Sequence, residues 1–165
     1  MCDFLIYHEP REIQRLPEIE KIFENEKLDI QFLEDIKGVG IGYSNLVLMN
    51  TKGDVVMIGP NDKYFLGTTN TKQKFNLLEL DEKVSKVRAY GSLCAVLSKG
   101  RIFFWGTDTI KGEQNKKPNQ VKINKGINIV DIQLGSRHLI ALSDDDLVYS
   151  CGHNDNAQVD LIFKI

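Results

Sequence analysis

One short unit occurs three times in this chain, and that repetition limits the fold more than any single motif does. The copies are "GYSNLVLMNTKGDVVMIGPNDKYFLG" from Gly42, "GSLCAVLSKGRIFFWG" from Gly91 and "GSRHLIALSDDDLVYSCGHNDNAQVD" from Gly135. Gly42 to Gly59 and Gly135 to Gly152 are both 17 positions, and the same x-Asn-Asp follows each closing glycine, as Asn61-Asp62 and Asn154-Asp155. The middle copy is two residues shorter between Gly91 and Gly106. It keeps the same order of apolar run, turn (Lys99-Gly100), apolar run and aromatic-Gly.

Two short apolar runs around a polar or glycine turn read as a β-hairpin. Their hydrophobicity is continuous rather than alternating, which predicts strands covered on both faces. A further strand is expected ahead of the second and third hairpins, at Val84–Tyr90 and Ile127–Leu134. A sheet this small cannot bury two faces alone, so stacking against its neighbours is the physical solution. The opening glycines lie 49 and 44 residues apart, the period of propeller blades. The expected fold is therefore all-β: about three antiparallel blades in a partial or open β-propeller. The division is an N-terminal extension over 1–34, blades over 35–80 and 81–126, and a third blade with an incomplete end over 127–165. Within the extension, "LPEIEKIFENEKL" predicts a short helix near Pro17–Lys27, with Pro17 at its start, Glu18 and Glu20 in its first turn and Ile19, Ile22 and Phe23 on one face. Ahead of it, "DFLIYHEP" reads as a strand lent to another blade.

The units resemble the regulator of chromosome condensation (RCC) repeat, whose pattern is Gly-x-x-His, strand, turn, a strand ending in Trp or Cys before Gly, then x-Asn-x-x-Gly-Gln-Leu-Gly. Gly135, His138, Cys151, Gly152, Asn154 and Gln158 fall on that pattern, while Ala157, Val159 and Asp160 depart from it. The first unit matches at Gly42, Gly59, Asn61, Leu66 and Gly67, with Asn45 in place of the histidine. The second keeps Gly91 and Trp105-Gly106 and lacks the histidine and the Asn-Gly-Gln tail. "KPNQVKI" at Lys117–Ile123 is similar to the family's Pro-x-x-Val connector. The resemblance covers roughly Asp35 to Asp160 and implies that His138 fixes blade backbone by a hydrogen bond and that Cys151 fills the packing slot of Trp105.

The dense polar stretch from His138 to Asp155 then needs no chemistry. Asp144–Asp146 occupy a hairpin turn, where short polar side chains satisfy backbone groups. A calcium loop needs alternating acids, a glycine and a distal glutamate, and that spacing is missing. Cys151-x-His153 would bind a transition metal only with two further ligands. "GVGIG" at Gly38–Gly42 has the look of a phosphate loop, but no helix pattern follows, so a tight strand turn is the better reading. Pairing Cys94 with His138 or His153 as nucleophile and base has no local signature. No enzyme, cofactor or metal site is expected.

A hydrophobic fraction of 42%, a charged fraction of 27% and a net charge of -2 fit a globular domain without a strong pull toward nucleic acid. Cys2, Cys94 and Cys151 are too few and scattered for a disulfide framework. No signal-peptide core or membrane-spanning run is evident, so a cytoplasmic or nuclear location is expected. Lys111, Lys116, Lys117, Lys122 and Lys125 lie in one segment, "KGEQNKKPNQVKINKG", readable as a solvated loop or as a contact for an acidic partner.

The family's seven-bladed propellers exceed this length, so end faces are expected to be open at Val55, Val56 and Ile58 on one side and at Leu147, Val148 and Tyr149 on the other. Such faces invite cover by a protein partner or by other copies of the chain. The leading expectation is a non-enzymatic interaction or scaffold module within a larger complex. The resemblance implies an alternative, guanine-nucleotide exchange on a Ran-like small GTPase, though no position here maps to an exchange loop. Chromatin binding would want basic tails, whereas 1–34 is acidic.

Overall fold

The computed structural model describes residues 32, 35–107, 114–152 and the backbone of 163–164. The chain forms two compact units, Met1–Glu34 and Asp35–Ile165. In the first, only Phe32 is described, in helical conformation; the helix expected over Pro17–Lys27 and the strand expected before it lie outside the described residues.

The second unit is three four-stranded sheets. The first holds β1 (Ile36–Ile41), β2 (Leu46–Asn50), β3 (Val55–Ile58) and β4 (Phe75–Leu77), in sequential order. The second repeats this with β5 (Lys86–Tyr90), β6 (Leu93–Ser98), β7 (Arg101–Gly106) and β8 (Asn115–Gln120). The third has β9 (Ile129–Leu134), β10 (His138–Ser143), β11 (Val148–Gly152) and β12 (Phe163–Lys164), the last pairing parallel to β11. These are three propeller blades. The first strands of two of them share one irregularity: β1 shifts register between Ile36 and Gly38 against Asn50 and Met49, and β9 shifts opposite Leu142 and Ser143.

Strand alternation explains why the apolar runs are continuous. In the middle sheet Cys94, Val96 and Trp105 point into a core shared with Val47, Met49, Val55 and Met57 of the first. Ala95, Leu97, Ile102 and Phe104 point the other way, into a core with Ile129, Ile132, Leu139 and Tyr149 of the third. Successive residues of β6 therefore belong to different cores.

Several expectations need correction. Gly38–Gly42 is no tight turn: Gly38 and Gly40 lie within β1, and the chain turns only at Gly42. A Cβ on Gly40 would sit 2.6 Å from Val47 Cγ1 and 2.9 Å from the Ala89 amide nitrogen, so the glycine lets the first two sheets approach closely. Each sheet also has a fourth strand that the hairpin pattern did not reveal. Asn115–Gln120, expected as a solvated loop, is the edge strand β8, where Pro118 and exposed lysines are tolerated because no further strand pairs there. At the ends, Val55 is buried because it faces the second sheet, and Val56 is buried as well. Tyr149 turns into the core between the second and third sheets. Leu147 and Val148 are exposed as expected, together with Val39 and Ile41 on β1, Leu77 on β4 and Val130 and Leu142 on the third sheet.

Candidate interaction surface

The strands run between two rims. One rim carries the hairpin turns Thr51–Asp54, Lys99–Gly100 and Asp144–Leu147; the other carries the tips at Gly42–Asn45, Gly91–Ser92 and Gly135–Arg137 together with the long loop after β3.

At the turn rim, β2, β6 and β10 each end in a buried polar residue: Asn50, Ser98 and Ser143. Asn50 Oδ1 accepts from the Asp54 amide at 2.8 Å, Ser98 Oγ donates to the Lys83 carbonyl at 2.9 Å, and Ser143 Oγ donates to the Leu147 carbonyl at 3.0 Å. The signal was present in the sequence as "LMN", "VLS" and "ALS", a polar residue closing each apolar run. Lys99 and Gly100 both have positive φ, as a two-residue type I′ turn requires. Asp146 (φ 63°) takes the left-handed place that Gly53 (φ 81°) holds in the first hairpin. Asp144 accepts a 2.9 Å hydrogen bond from Asn128 Nδ2. The aspartates serve the turn.

Charge pairing ties the sheets together. Asp131 of β9 meets Lys86 Nζ at 2.9 Å and Arg88 at 3.2 Å, both on β5. Burial opposes ionisation of Asp131, but the Lys86 hydrogen bond, the Ile132 amide and the nearby Arg88 hold its carboxyl below the usual range. Lys83 holds Asp54 low by a direct hydrogen bond, and Arg101, with Lys99 further off, does so for Glu82. Gly53–Val55, Leu78 and Leu80–Val84 line a cleft of about 110 Å³, below the ~300–1,000 Å³ of ordinary small-molecule sites.

At the tip rim the repeat residues have distinct duties. Asn61 is buried and organises the loop after β3: its Oδ1 accepts from the Leu66 amide at 2.8 Å, and its Nδ2 donates to the Thr68 and Asn70 carbonyls at 2.9 Å each. That loop docks on the next blade. Trp105 Nε1 donates to the Phe65 carbonyl at 2.6 Å, Thr107 Oγ1 donates to the Lys63 carbonyl at 2.8 Å, and Gly67 lies against the Trp105 indole. Gly59, Gly106 and Gly152 have φ of 128°, 116° and 129°, and each would aim a Cβ at the carbonyl across its hairpin, on Ser44, Ser92 and Arg137. Asn45, in the histidine slot, donates from Nδ2 to the Pro60 carbonyl at 2.6 Å. His138 behaves differently: its ring packs over Gly135, and no hydrogen bond to the imidazole is seen among the described residues. Tyr43 hydrogen-bonds through its amide to the Gly91 carbonyl at 2.9 Å, joining the first two tips.

Cys151 sits opposite Leu139 and packs on the second core, the place Trp105 has opposite Cys94. Burial pushes the Cys94 thiol far up, making it a packing residue. No cluster of three or more metal-ligating side chains occurs among the described residues, and none of their helices is long and apolar enough to cross a membrane. His153, Asn154, Asp155 and Gln158 lie outside the described residues, as does Lys111. The remaining lysines do not form one patch. Lys116 stands at the tip end of β8 with its ammonium 4.9 Å over the Tyr64 ring, Lys117 follows along the strand, and Lys122 and Lys125 lie toward the turn rim.

Residues 129–158 match the family model described as "Regulator of chromosome condensation (RCC1) repeat". The human regulator of chromosome condensation is 30% identical over 140 residues, covering 76% of this chain and 33% of the relative. The Xenopus laevis protein is 31% identical over 155 residues, covering 85% and 36%. The chain thus spans about a third of the length of the curated relatives it matches. Among solved structures, Prp20p of Saccharomyces cerevisiae superposes with a TM-score of 0.63 at 18% identity, over 75% of this chain and 34% of that one. Human WBSCR16 gives 0.62 at 22% identity, over 72% and 34%, a likeness of fold alone. With blades, closing glycines and the Asn61 loop in place, the chain is a stack of β-propeller blades that carries the regulator of chromosome condensation repeat.

Proposed function

We propose that this chain is a non-enzymatic protein-interaction module, built of three RCC-type blades and working within a larger assembly in the cytoplasm or nucleus. One contrast carries the reading. Leu97 and Ile102, paired in the second sheet, are 2% and 0% exposed under the third sheet, whereas their counterparts Leu142 and Val148 are 36% and 37% exposed. The third sheet offers the same apolar face to a neighbour that the described residues do not supply. Burial of such a face is the ordinary driving force for association. Light scattering on the eluting purified chain tests this, with a hydrophobic dye as a second readout. A self-associating or dye-binding chain is expected; a monodisperse monomer that binds no dye would remove the reading.

A second reading, nucleotide exchange on a Ran-like GTPase, is favoured by the relatives. The Prp20p structure is described together with that protein's binding to Gsp1p and histones, and a further yeast structure has Kap60 bound. Release of labelled GDP from such a GTPase, with this chain in stoichiometric amount, tests it. An unaccelerated release would set it aside.

A further inference from the structure

The two rims differ in charge. Among the described residues the tip rim carries Lys63, Lys72, Lys74, Lys116 and Arg137 against the single acid Asp62. The turn rim mixes both signs, with Asp54, Glu79, Asp81, Glu82 and Asp144–Asp146 alongside Lys52, Lys83, Lys99, Arg101, Lys122 and Lys125, partly joined in ion pairs such as Lys83–Asp54 and Arg101–Glu82. None of the tip-rim cations has an ion pair among the described residues; Lys116 rests on the Tyr64 ring instead. On the same rim Tyr43 is 78% and Tyr90 44% exposed, their rings tilted at 57° with centroids 6.5 Å apart. Neither ring is needed to fill a core. Tyrosine and arginine are the side chains most enriched where proteins bind one another, and exposed aromatics backed by rigid strands lose little entropy on binding.

We infer that the tip rim is a docking surface for an acidic protein segment, which sets an apolar side chain against Tyr43 and Tyr90 and carboxylates against Arg137, Lys63 and Lys116. Charge complementarity selects the partner's sign, and the tyrosine pair supplies the anchor that distinguishes a built contact from a diffuse basic surface. The inference rests on the interaction-module reading and names the face and the chemistry.

The test titrates the full-length chain with a fluorescent glutamate decapeptide carrying one central leucine and one phenylalanine, beside its lysine counterpart and an oligodeoxythymidylate. The expected result is saturable binding of the acidic peptide alone, weakened about tenfold by Tyr43→Ala or Arg137→Glu and retained by Tyr43→Phe. Lys52→Glu, on the opposite rim, should leave it unchanged. Tyr43 and Arg137 are exposed, so unaltered melting will show that the variants fold. Absence of saturation, equal loss with Lys52→Glu, or preference for the lysine peptide or the oligonucleotide would overturn the assignment. If light scattering still finds assembly in that case, this surface alone is rejected; a monomer that binds no dye rejects the module reading as well.

Discussion

The indole of Trp105 reaches back forty residues to hydrogen-bond the Phe65 backbone carbonyl, so the loop between the third and fourth strands of one blade is held by the third strand of the next. Both partners are fully buried, and water cannot replace the bond if it is lost.

Trp105→Phe keeps an aromatic ring and removes the donor. It should lower stability by ~1–3 kcal/mol, the cost of a buried carbonyl left unpaired plus lost packing. Urea unfolding followed by circular dichroism measures this; an unchanged midpoint would mean the loop is not clamped by the indole.

Asn61→Ala removes three side-chain hydrogen bonds from one buried position. A loss of ~2–3 kcal/mol is expected. Amide exchange should quicken first at Leu66, whose N–H is left without its acceptor, and an unaltered Leu66 rate would contradict the assignment.

Gly152→Val forces a β-branched residue to φ near 129° and drives its Cβ toward the Arg137 carbonyl. Destabilisation of ~1–3 kcal/mol should follow, and thermal melting of the variant reads it directly.

Asp131→Asn tests the charge tie between the second and third blades. The folded-state pKa of Asp131 is depressed, so its contribution is present above the unfolded value of ~4 and is lost as pH falls through the lower folded value. The wild type should lose stability over that acid window, and the variant should lose less. Parallel acid-titration curves for the two would show that Asp131 contributes nothing there.

What the sequence revealed followed from period and glycine. The closing glycines mark a left-handed backbone position that three hairpins share, and the apolar runs mark strands covered on both sides. Fourth strands escaped notice because β4 has three residues and β8 reads Asn-Lys-Lys-Pro-Asn-Gln, whose pairing depends on β7 alongside rather than on its own pattern. Val55 and Tyr149 were misplaced because a continuous apolar run does not say which residue faces which neighbour. The lysines of Lys111–Lys125 are close in sequence, but a strand separates Lys116 from Lys122 by roughly 20 Å at about 3.3 Å per residue. The tip-rim tyrosines carry no sequence signal, since a rim forms only once three sheets are stacked.

Because Cys94 and Val96 belong to one core and Ala95 and Leu97 to the other, the middle sheet cannot melt without opening both. Each outer sheet shares only one of these two cores with it. In a linear array of this kind, cooperativity is set by nearest-neighbour coupling, and fraying starts from the ends. The second blade is therefore the thermodynamic keystone of the described blades, because opening it exposes both cores at once.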